Sequence, residues 1–321
     1  MTRRGFAVFY LKKNIVPYKG TTSSNQAPEN AKMAEPLVLR TAIGKHAHAK
    51  PLKDGRVQSN RVRLEFEEFD PLPKAFRTMV RGDGLDLSEM AIITHLLAYH
   101  YGKPITGIAV PLWSRLPATN LVCPTDSPVA DPRDLEGHKV GVRAYGQTSG
   151  VWVRGILQHE FGVDLNKITW VTMEDSHLAE YEDPSIAVRN TSPLALRPLM
   201  MAGELAAIMG EREVDPSGIR TVIPDAESTA RTWTERTGIM PINHVLTVKT
   251  ALAQEYPWLL GELFELFDEA RRVAEQEDGA APPPAYGLEA NRHSLQLAFD
   301  YSAEQLITPR VYDVDELFPK F

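Results

Sequence analysis

The sequence predicts an α/β protein built from two lobes. Its 321 residues are twice the ~150 residues typical of one domain. A hydrophobic fraction of 43% and a charged fraction of 24% are ordinary for a soluble globular chain with a large core. Short apolar runs typical of strands alternate with helical patterns from about residue 36 onward, which is the pattern of the α/β class.

Composition and charge exclude several classes of function. The net charge at pH 7 is −7, without a basic cluster in the sequence, so we expect no nucleic-acid partner. Cys123 is the single cysteine, which excludes an intramolecular disulfide and a paired-cysteine metal or redox site. No apolar run approaches the ~18 residues that span a bilayer, so we expect no membrane partner.

Residues 1–35 show no sustained periodicity. We expect either a disordered extension or translated sequence upstream of a true start at Met33. The apolar run Gly5–Leu11 is too short for an export signal, and Lys12 ends it.

Between residues 36 and 123 the pattern predicts four strands and two helices. Alternating apolar residues indicate strands, while glycines and hydroxyl residues mark turns and helix caps. In order, we expect a strand from Leu37 that ends at Gly44, a strand at Val62–Phe69, a helix at Ala75–Arg81 closed by Gly82, a helix at Leu87–Tyr101 capped by Ser88, and strands at Ile105–Pro111 and Thr119–Cys123.

The next segment joins a short buried strand, Lys139–Val142, to an apolar-periodic helix, Val151–Phe161, through a glycine-bearing turn. Free backbone N–H groups at such a helix start readily bind a carboxylate or phosphate. Gln147, Thr148 and Ser149 are therefore candidate ligand contacts. The alternative is that a hydroxyl of Thr148 or Ser149 only caps its own helix.

The remaining chain continues the alternation. We expect strands at Lys167–Thr172, Glu204–Met209 and Val245–Val248, helices at Leu194–Met201, 257–275 and Ala290–Leu306, and loops at Glu174–Ser192 and Gly279–Gly287. If the chain leaves one lobe near residue 122 and returns near 245, the lobes are 36–122 plus 245–321, and 123–244. The ligand is then expected in the cleft between them.

Several motifs resemble those of the 4,5-dihydroxyphthalate decarboxylase family. The run Gly141–Glu160 resembles the central motif of that family, and Thr237–Val245 resembles its second motif. Tyr286–Arg292 and Asp86–Met90 resemble two further family segments. The likeness extends in order over roughly residues 38 to 320.

This resemblance implies a type II periplasmic-binding-protein-like fold in a cytoplasmic enzyme. The implied reaction removes one carboxylate from a dihydroxyphthalate and yields protocatechuate in aromatic catabolism. The implied partner is a small aromatic carboxylate. We expect no cofactor and assign no metal ligand, while metal dependence is left open. Whether the chain forms a homo-oligomer is left open.

Arg115 matches the first arginine of a family group whose second arginine and histidine are absent here. Bidentate arginine suits a carboxylate, so Arg115 is the first candidate to bind one, followed by the helix start at 147–149. Arg154 is a weaker candidate to bind a carboxylate. Its alternative is to pack outward or across the interface between the lobes. The loops at 45–50 and 172–177 also depart from the family pattern, which leaves the ring substituents of the substrate open.

His244 lies in the second matched motif, at a predicted strand start. Decarboxylation without an organic cofactor can proceed by protonation of the ring carbon that bears the carboxylate, and this step needs a general acid. Imidazole titrates near the operating pH, which makes His244 the candidate acid. The alternative is a structural histidine bonded to backbone.

His46 and His48 lie two residues apart on a loop after a strand, a position that commonly carries ligand contacts. They are candidates to bind the substrate, with a solvated loop or a metal site that includes His95 or Glu89 as alternatives. Glu89 matches a family position and is a candidate substrate contact. Its alternative is to favour the dipole of the predicted helix.

The leading hypothesis is therefore a decarboxylase with His244 and Arg115 as catalytic residues. The rival from another class is a solute-binding receptor that closes on a small organic acid without catalysis. A third hypothesis is another biosynthetic enzyme on the same fold.

Overall fold

The computed structural model describes residues 35–209, 217–277 and 285–321. The predicted N-terminal extension lies outside these residues except for Glu35, as does most of the predicted loop 279–287. Strands and helices alternate within the described residues, which confirms the α/β class. None of the described helices is long and apolar enough to cross a membrane.

The strands and helices are numbered in chain order. The strands are β1 (Leu37–Ala42), β2 (Val62–Phe66), β3 (Leu87–Ala91), β4 (Ile105–Ser114), β5 (Leu121–Pro124), β6 (Lys139–Val142), β7 (Thr169–Thr172), β8 (Ala187–Arg189), β9 (Ala207–Met209), β10 (Ile219–Thr221) and β11 (Ile242–Lys249). The helices are α1 (Lys50–Lys53), α2 (Pro73–Arg81), α3 (Ile92–His100), α4 (Thr148–Phe161), α5 (Leu196–Met201), α6 (Ala226–Thr237), α7 (Thr250–Glu255), α8 (Leu259–Glu275), α9 (Leu288–Glu304) and α10 (Val314–Leu317).

The strands form two sheets. The spatial order is β2-β1-β3-β11-β4 in the first sheet and β10-β5-β9-β6-β7-β8 in the second. In the first sheet β1, β2 and β3 are parallel, and β11 runs antiparallel to both of its neighbours. The chain therefore builds four strands of the first sheet, crosses to the second, and returns with β11. The lobe boundaries at 122 and 245 stay a prediction.

Helix α9 ties the C-terminal part of the chain to helix α4. The Trp152 indole N–H donates to the Ile242 carbonyl oxygen at 2.9 Å, and Gln305 Nε2 donates to the Val151 carbonyl oxygen at 2.9 Å. Gly155 allows this packing, because a Cβ atom there would collide with the ring of Tyr301. The N-terminus of α4 is thus held at a fixed position relative to β11.

The helix predicted at Leu87–Tyr101 is wrong in its first third. Residues Leu87–Ala91 form β3, and α3 begins only at Ile92. The Ser88 hydroxyl does not cap a helix but donates to the Glu89 carbonyl oxygen at 2.7 Å. Pairing with β1 on one side and β11 on the other explains the strand, because these long-range hydrogen bonds outweigh the local cap signal.

Candidate active site

A cavity of about 780 Å³ lies between the strand ends of the first sheet and the N-terminus of α4. This volume is within the range typical of small-molecule sites. The residues that the argument below uses are His46, Phe76, Glu89, Thr94, Trp113, Arg115, Arg143, Gln147, Thr148, Ser149, Glu174, His177, Asn243 and His244.

Strand pairing brings Glu89 and His244 together. Glu89 on β3 lies opposite Leu246, while His244 lies opposite Ala91, so the two side chains are diagonal neighbours across the pair. The register between β11 and β4 is irregular on both sides of His244, beside Pro111, which has no N–H to donate. Such irregularities commonly turn a side chain toward an active site.

The Glu89 carboxylate is the centre of a hydrogen-bonded group. Its Oε1 accepts from His244 Nδ1 at 2.6 Å, and its Oε2 accepts from His46 Nε2 and from the Gly44 N–H, both at 2.8 Å. Its side chain has no exposed surface. Burial acts to raise the pKa of Glu89, but the hydrogen bonds from His244 and His46 outweigh it and hold the pKa below its ordinary value.

An ionised carboxylate only accepts hydrogen bonds, so each histidine nitrogen that faces Glu89 carries a proton. This leaves Nε2 of His244 for a ligand, and within the described residues that atom has no hydrogen-bond partner. The ring is held edge-on by Phe76, with centroids 5.1 Å apart, and by Trp113, at 4.7 Å. A buried carboxylate behind an imidazole fixes the orientation and the tautomer of the ring, which leaves Nε2 of His244 directed away from Glu89.

His48 lies behind His46, with the two rings stacked at 5.3 Å. Burial, and then the nearby charge of His46, lowers the pKa of His48 to about 4, so it is neutral near pH 7. The described residues contain no group of three or more His, Cys, Asp or Glu side chains arranged to hold a metal ion.

Arg115 follows β4, and its backbone N–H donates to the Pro241 carbonyl oxygen at 3.3 Å. The guanidinium lies 5.3 Å from the centre of the Trp113 ring, and its buried Nε has no hydrogen-bond partner. Burial lowers the pKa of Arg115, and no described carboxylate lies within ion-pair distance of it. A cation of this kind at a cavity wall is suited to an anionic ligand.

Helix α4 begins at Thr148, three residues before the predicted start. The first-turn residues line the cavity, and Gln147 is the N-cap residue without a side-chain cap bond. Its Nε2 donates instead to the Ser149 hydroxyl at 2.9 Å. The alternative of a simple hydroxyl cap by Thr148 or Ser149 is therefore wrong, and backbone N–H groups of this turn stay open to an anion.

His177 enters the cavity from the loop after β7. Its Nδ1 lies 2.7 Å from the Thr94 hydroxyl, and its ring packs edge-on against Phe76. Burial, and then the charges of Arg77 and Arg143, lowers the pKa of His177 to about 3. His177 is therefore a neutral hydrogen-bonding group rather than a proton donor of ordinary acidity.

Comparison with known proteins agrees with the motifs of the sequence. Residues 73–192 match the family model described as NMT1/THI5 like. The chain is 31% identical over 260 residues to a 4,5-dihydroxyphthalate decarboxylase from Comamonas testosteroni, covering 74% of this chain and 76% of that protein. The chain belongs to the 4,5-dihydroxyphthalate decarboxylase family.

A second family member, from Pseudomonas putida, is 29% identical over 185 residues, which cover 55% of this chain and 71% of that protein. Membership confirms the predicted enzyme class, a carboxy-lyase. The fold resembles that of the periplasmic aliphatic sulphonate binding protein SsuA from Escherichia coli, with a TM-score of 0.58, 18% identity, and coverage of 88% of this chain and 97% of that one. The predicted two-lobed periplasmic-binding-protein-like fold is thereby confirmed, while the cytoplasmic location stays a prediction.

The structure brings most of the predicted site residues of this family member together. His46, Glu89, Arg115, Gln147, Thr148, Ser149 and His244 line one cavity. Glu89 is there as a strand residue, so the alternative, a residue at the start of a helix that favours its dipole, is wrong. His48 and Arg154 are not among the described residues that line the cavity.

Arg154 is instead a core residue of this family member. It has no exposed surface, its Nε donates to Gln305 Oε1 at 2.7 Å, and its Nη2 donates to the Tyr145 carbonyl oxygen at 2.6 Å. Its guanidinium lies over the Tyr145 ring at 4.1 Å. These contacts account for Nε and Nη2, while the buried Nη1 has no hydrogen-bond partner in the described residues. Because the side chain does not line the cavity, we assign it a packing role.

Thr94, His177 and Asn243 are among the polar residues of the cavity that sequence reasoning did not name as candidates, although the loop at 172–177 was singled out. Asn243 is 2% exposed, and its Oδ1 has no hydrogen-bond partner. Its position beside His244 in a matched motif was an available signal. The signal for His177 was its place in a loop directly after a strand, where ligand contacts concentrate.

Proposed function

We propose that this family member decarboxylates a hydroxylated aromatic dicarboxylate in aromatic catabolism. The first substrate to consider is 4,5-dihydroxyphthalate, with protocatechuate as the product. The observation that carries the proposal is the His46–Glu89–His244 group, hydrogen-bonded within a cavity that also contains Arg115 and the start of α4. The names of the two relatives support the same substrate.

Two groups of the cavity suit the carboxylates of an ortho-dicarboxylate, in a lining that also includes the acidic residues Glu68, Asp70 and Glu174. Arg115 offers a guanidinium without a carboxylate partner in the described residues, and the first turn of α4 offers backbone N–H groups. We assign one substrate carboxylate to each of these groups. Inside a cavity that a bound substrate fills, both interactions are expected to be stronger than they would be at the surface.

The proposed chemistry begins with proton transfer from His244 Nε2 to the ring carbon that bears the departing carboxylate. The hydroxyl para to that carbon gives its proton to water and supplies electron density, so the ring becomes a cyclohexadienone. The bond from the ring carbon to the carboxylate then breaks, CO2 leaves, and its bonding electrons restore the aromatic ring. The phenol regains a proton, and the next proton for His244 comes from water.

Glu89 assists this step without contact to the substrate. Its negative charge stabilises the protonated form of His244 before the transfer, and its hydrogen bond directs the other nitrogen at the cavity. His46 donates to the same carboxylate and keeps it in place. The neutral His177 and the Thr94 hydroxyl are assigned to a phenolic hydroxyl of the substrate, because neither repels a polar uncharged group.

The test is to incubate the purified protein with 4,5-dihydroxyphthalate and to measure CO2 release and protocatechuate formation, with and without a chelator. We expect turnover that survives the chelator. Loss of turnover on chelation would overturn the metal-free mechanism. Tight binding of several aromatic acids without any turnover would instead favour the solute-binding receptor.

A further inference from the structure

A second cleft, of about 410 Å³, adjoins the cavity. The two share the lining residues Pro73, Arg143, Glu174 and Ser176. The described residues of this cleft include five basic side chains and two acidic ones, Glu174 and Asp175, a net charge of +3. The basic residues are Lys74, Arg77, Arg81, Arg143 and Arg189.

This local charge opposes that of the whole chain. The protein carries −7 overall, which repels a dianion at long range. At 0.1 M salt, however, charges more than about 10 Å away are largely screened. A dianion near the cleft therefore responds to the local positive charge, and it is drawn toward the cavity rather than away from it.

Glu174 stands between the cleft and the cavity. Its Oε2 lies 3.5 Å from a terminal nitrogen of Arg77 and 3.9 Å from one of Arg143. Both distances exceed those of a hydrogen-bonded ion pair, which are about 2.7–2.9 Å. The Glu174 backbone is held in place, because its N–H donates to the Arg143 carbonyl oxygen at 2.7 Å. The Glu174 carboxylate therefore lies where a ligand carboxylate would bind Arg77 and Arg143, but its own ion pairs with them are loose.

We infer that the cleft is an outer carboxylate-binding subsite, in which an approaching dicarboxylate displaces Glu174 from Arg77 and Arg143 on its way into the cavity. The inference rests on the proposed function in one respect, since it takes the ligand of the cavity to be a dicarboxylate. Glu174 acts as an internal competitor, and removal of its charge favours capture of the ligand.

The test measures binding of phthalate, a dicarboxylate without the hydroxyl groups that the proposed chemistry needs. Stopped-flow fluorescence follows its arrival, because Trp113 lines the cavity. Charges at the rim of a site mainly change the association rate, whereas groups inside it change the dissociation rate. We expect Glu174→Gln to raise the association rate about two- to fivefold at low salt, the effect of one partly exposed ion pair.

Two variants show where the effect arises. Arg77→Gln is expected to slow association, and Glu174→Gln in that background is expected to gain less than in the wild-type protein. Glu65→Gln is the matched control, because it removes the same charge from an exposed pair with Arg63, away from both cavities. It is expected to leave association unchanged.

The inference is overturned if Glu174→Gln slows association, leaves it unchanged, or acts only on dissociation. It is also overturned if Glu65→Gln gives the same gain, which would indicate a general effect of net charge. Failure of the proposed function looks different. In that case the wild-type protein releases no CO2 from 4,5-dihydroxyphthalate, whatever the rates of phthalate binding.

Discussion

Two histidines of the cavity, His244 and His177, have different partners. In the first sheet, His244 is hydrogen-bonded to the buried carboxylate of Glu89 at 2.6 Å. In the loop after β7, His177 lies beside the Thr94 hydroxyl, and burial together with nearby arginines lowers its pKa to about 3. An imidazole beside a carboxylate can carry a proton, whereas one among cations stays neutral. We expect the partners and the burial of a histidine, rather than the residue type, to decide whether it can act as an acid.

The largest expected effect is that of His244→Asn. This change removes the proposed proton donor and keeps a polar side chain of smaller size. Turnover of 4,5-dihydroxyphthalate is expected to fall by about 10²–10⁴-fold, the usual contribution of a general acid. Phthalate binding, measured by calorimetry, is expected to persist. If the variant retained half of the wild-type rate, His244 would not be the proton donor.

Glu89→Gln tests whether the carboxylate of Glu89 sets the tautomer and the proton-donor role proposed for His244. The amide nitrogen can only donate to a histidine nitrogen, so one imidazole must take the opposite tautomer. The counter-charge of the protonated His244 is lost as well. We expect turnover to fall about 10²-fold.

The control for Glu89→Gln is the folded fraction of the variant, measured by circular dichroism and thermal unfolding. If turnover falls only as far as the folded fraction falls, Glu89 is a structural residue, and it does not distinguish His244 from His177 in the way described.

His177→Gln tests the second histidine of the comparison. We expect kcat/KM to fall about tenfold, a smaller effect that is typical of one neutral hydrogen bond to substrate. The loss should disappear with a substrate that lacks the contacted hydroxyl. Because the pKa of His177 is about 3, the shape of the pH profile between pH 5 and 8 should not change. A changed profile would show that His177 carries a proton in the reaction.

His95 extends the comparison to a histidine outside the cavity. It is 1% exposed, and burial lowers its pKa from 6.5 to about 4. Between these values the unfolded chain binds a proton that the folded chain does not, so the free energy of unfolding decreases as pH falls through this window. Between pH 6.5 and 5 the His95→Gln variant is expected to lose about 1.6 kcal/mol less of its free energy of unfolding than the wild type.

The measurement for His95→Gln is urea unfolding of the variant and the wild type at both pH values, with turnover at pH 7 as the control. Turnover should stay close to that of the wild type. Equal losses of stability in both proteins would show that His95 does not titrate as proposed.

Local features of the site were predictable from the sequence. The turn before α4, the helix itself and its end at Gly162 depend on neighbouring residues, and Gly162 has the positive φ of 65° that glycine tolerates best. The same holds for α2, which ends at Gly82 as predicted. A candidate anion site at the start of α4 could therefore be named without the structure.

The sequence by itself determined the α/β class, the family and the candidate residues, because these depend on periodicity and on short motifs. Only the tertiary structure decided that Glu89 binds His46, 43 residues away, and His244, 155 residues away. It also placed Arg154 in the core. The physical reason is that strand pairing and burial set the partners and the charge of a side chain, and both depend on residues far apart in the chain.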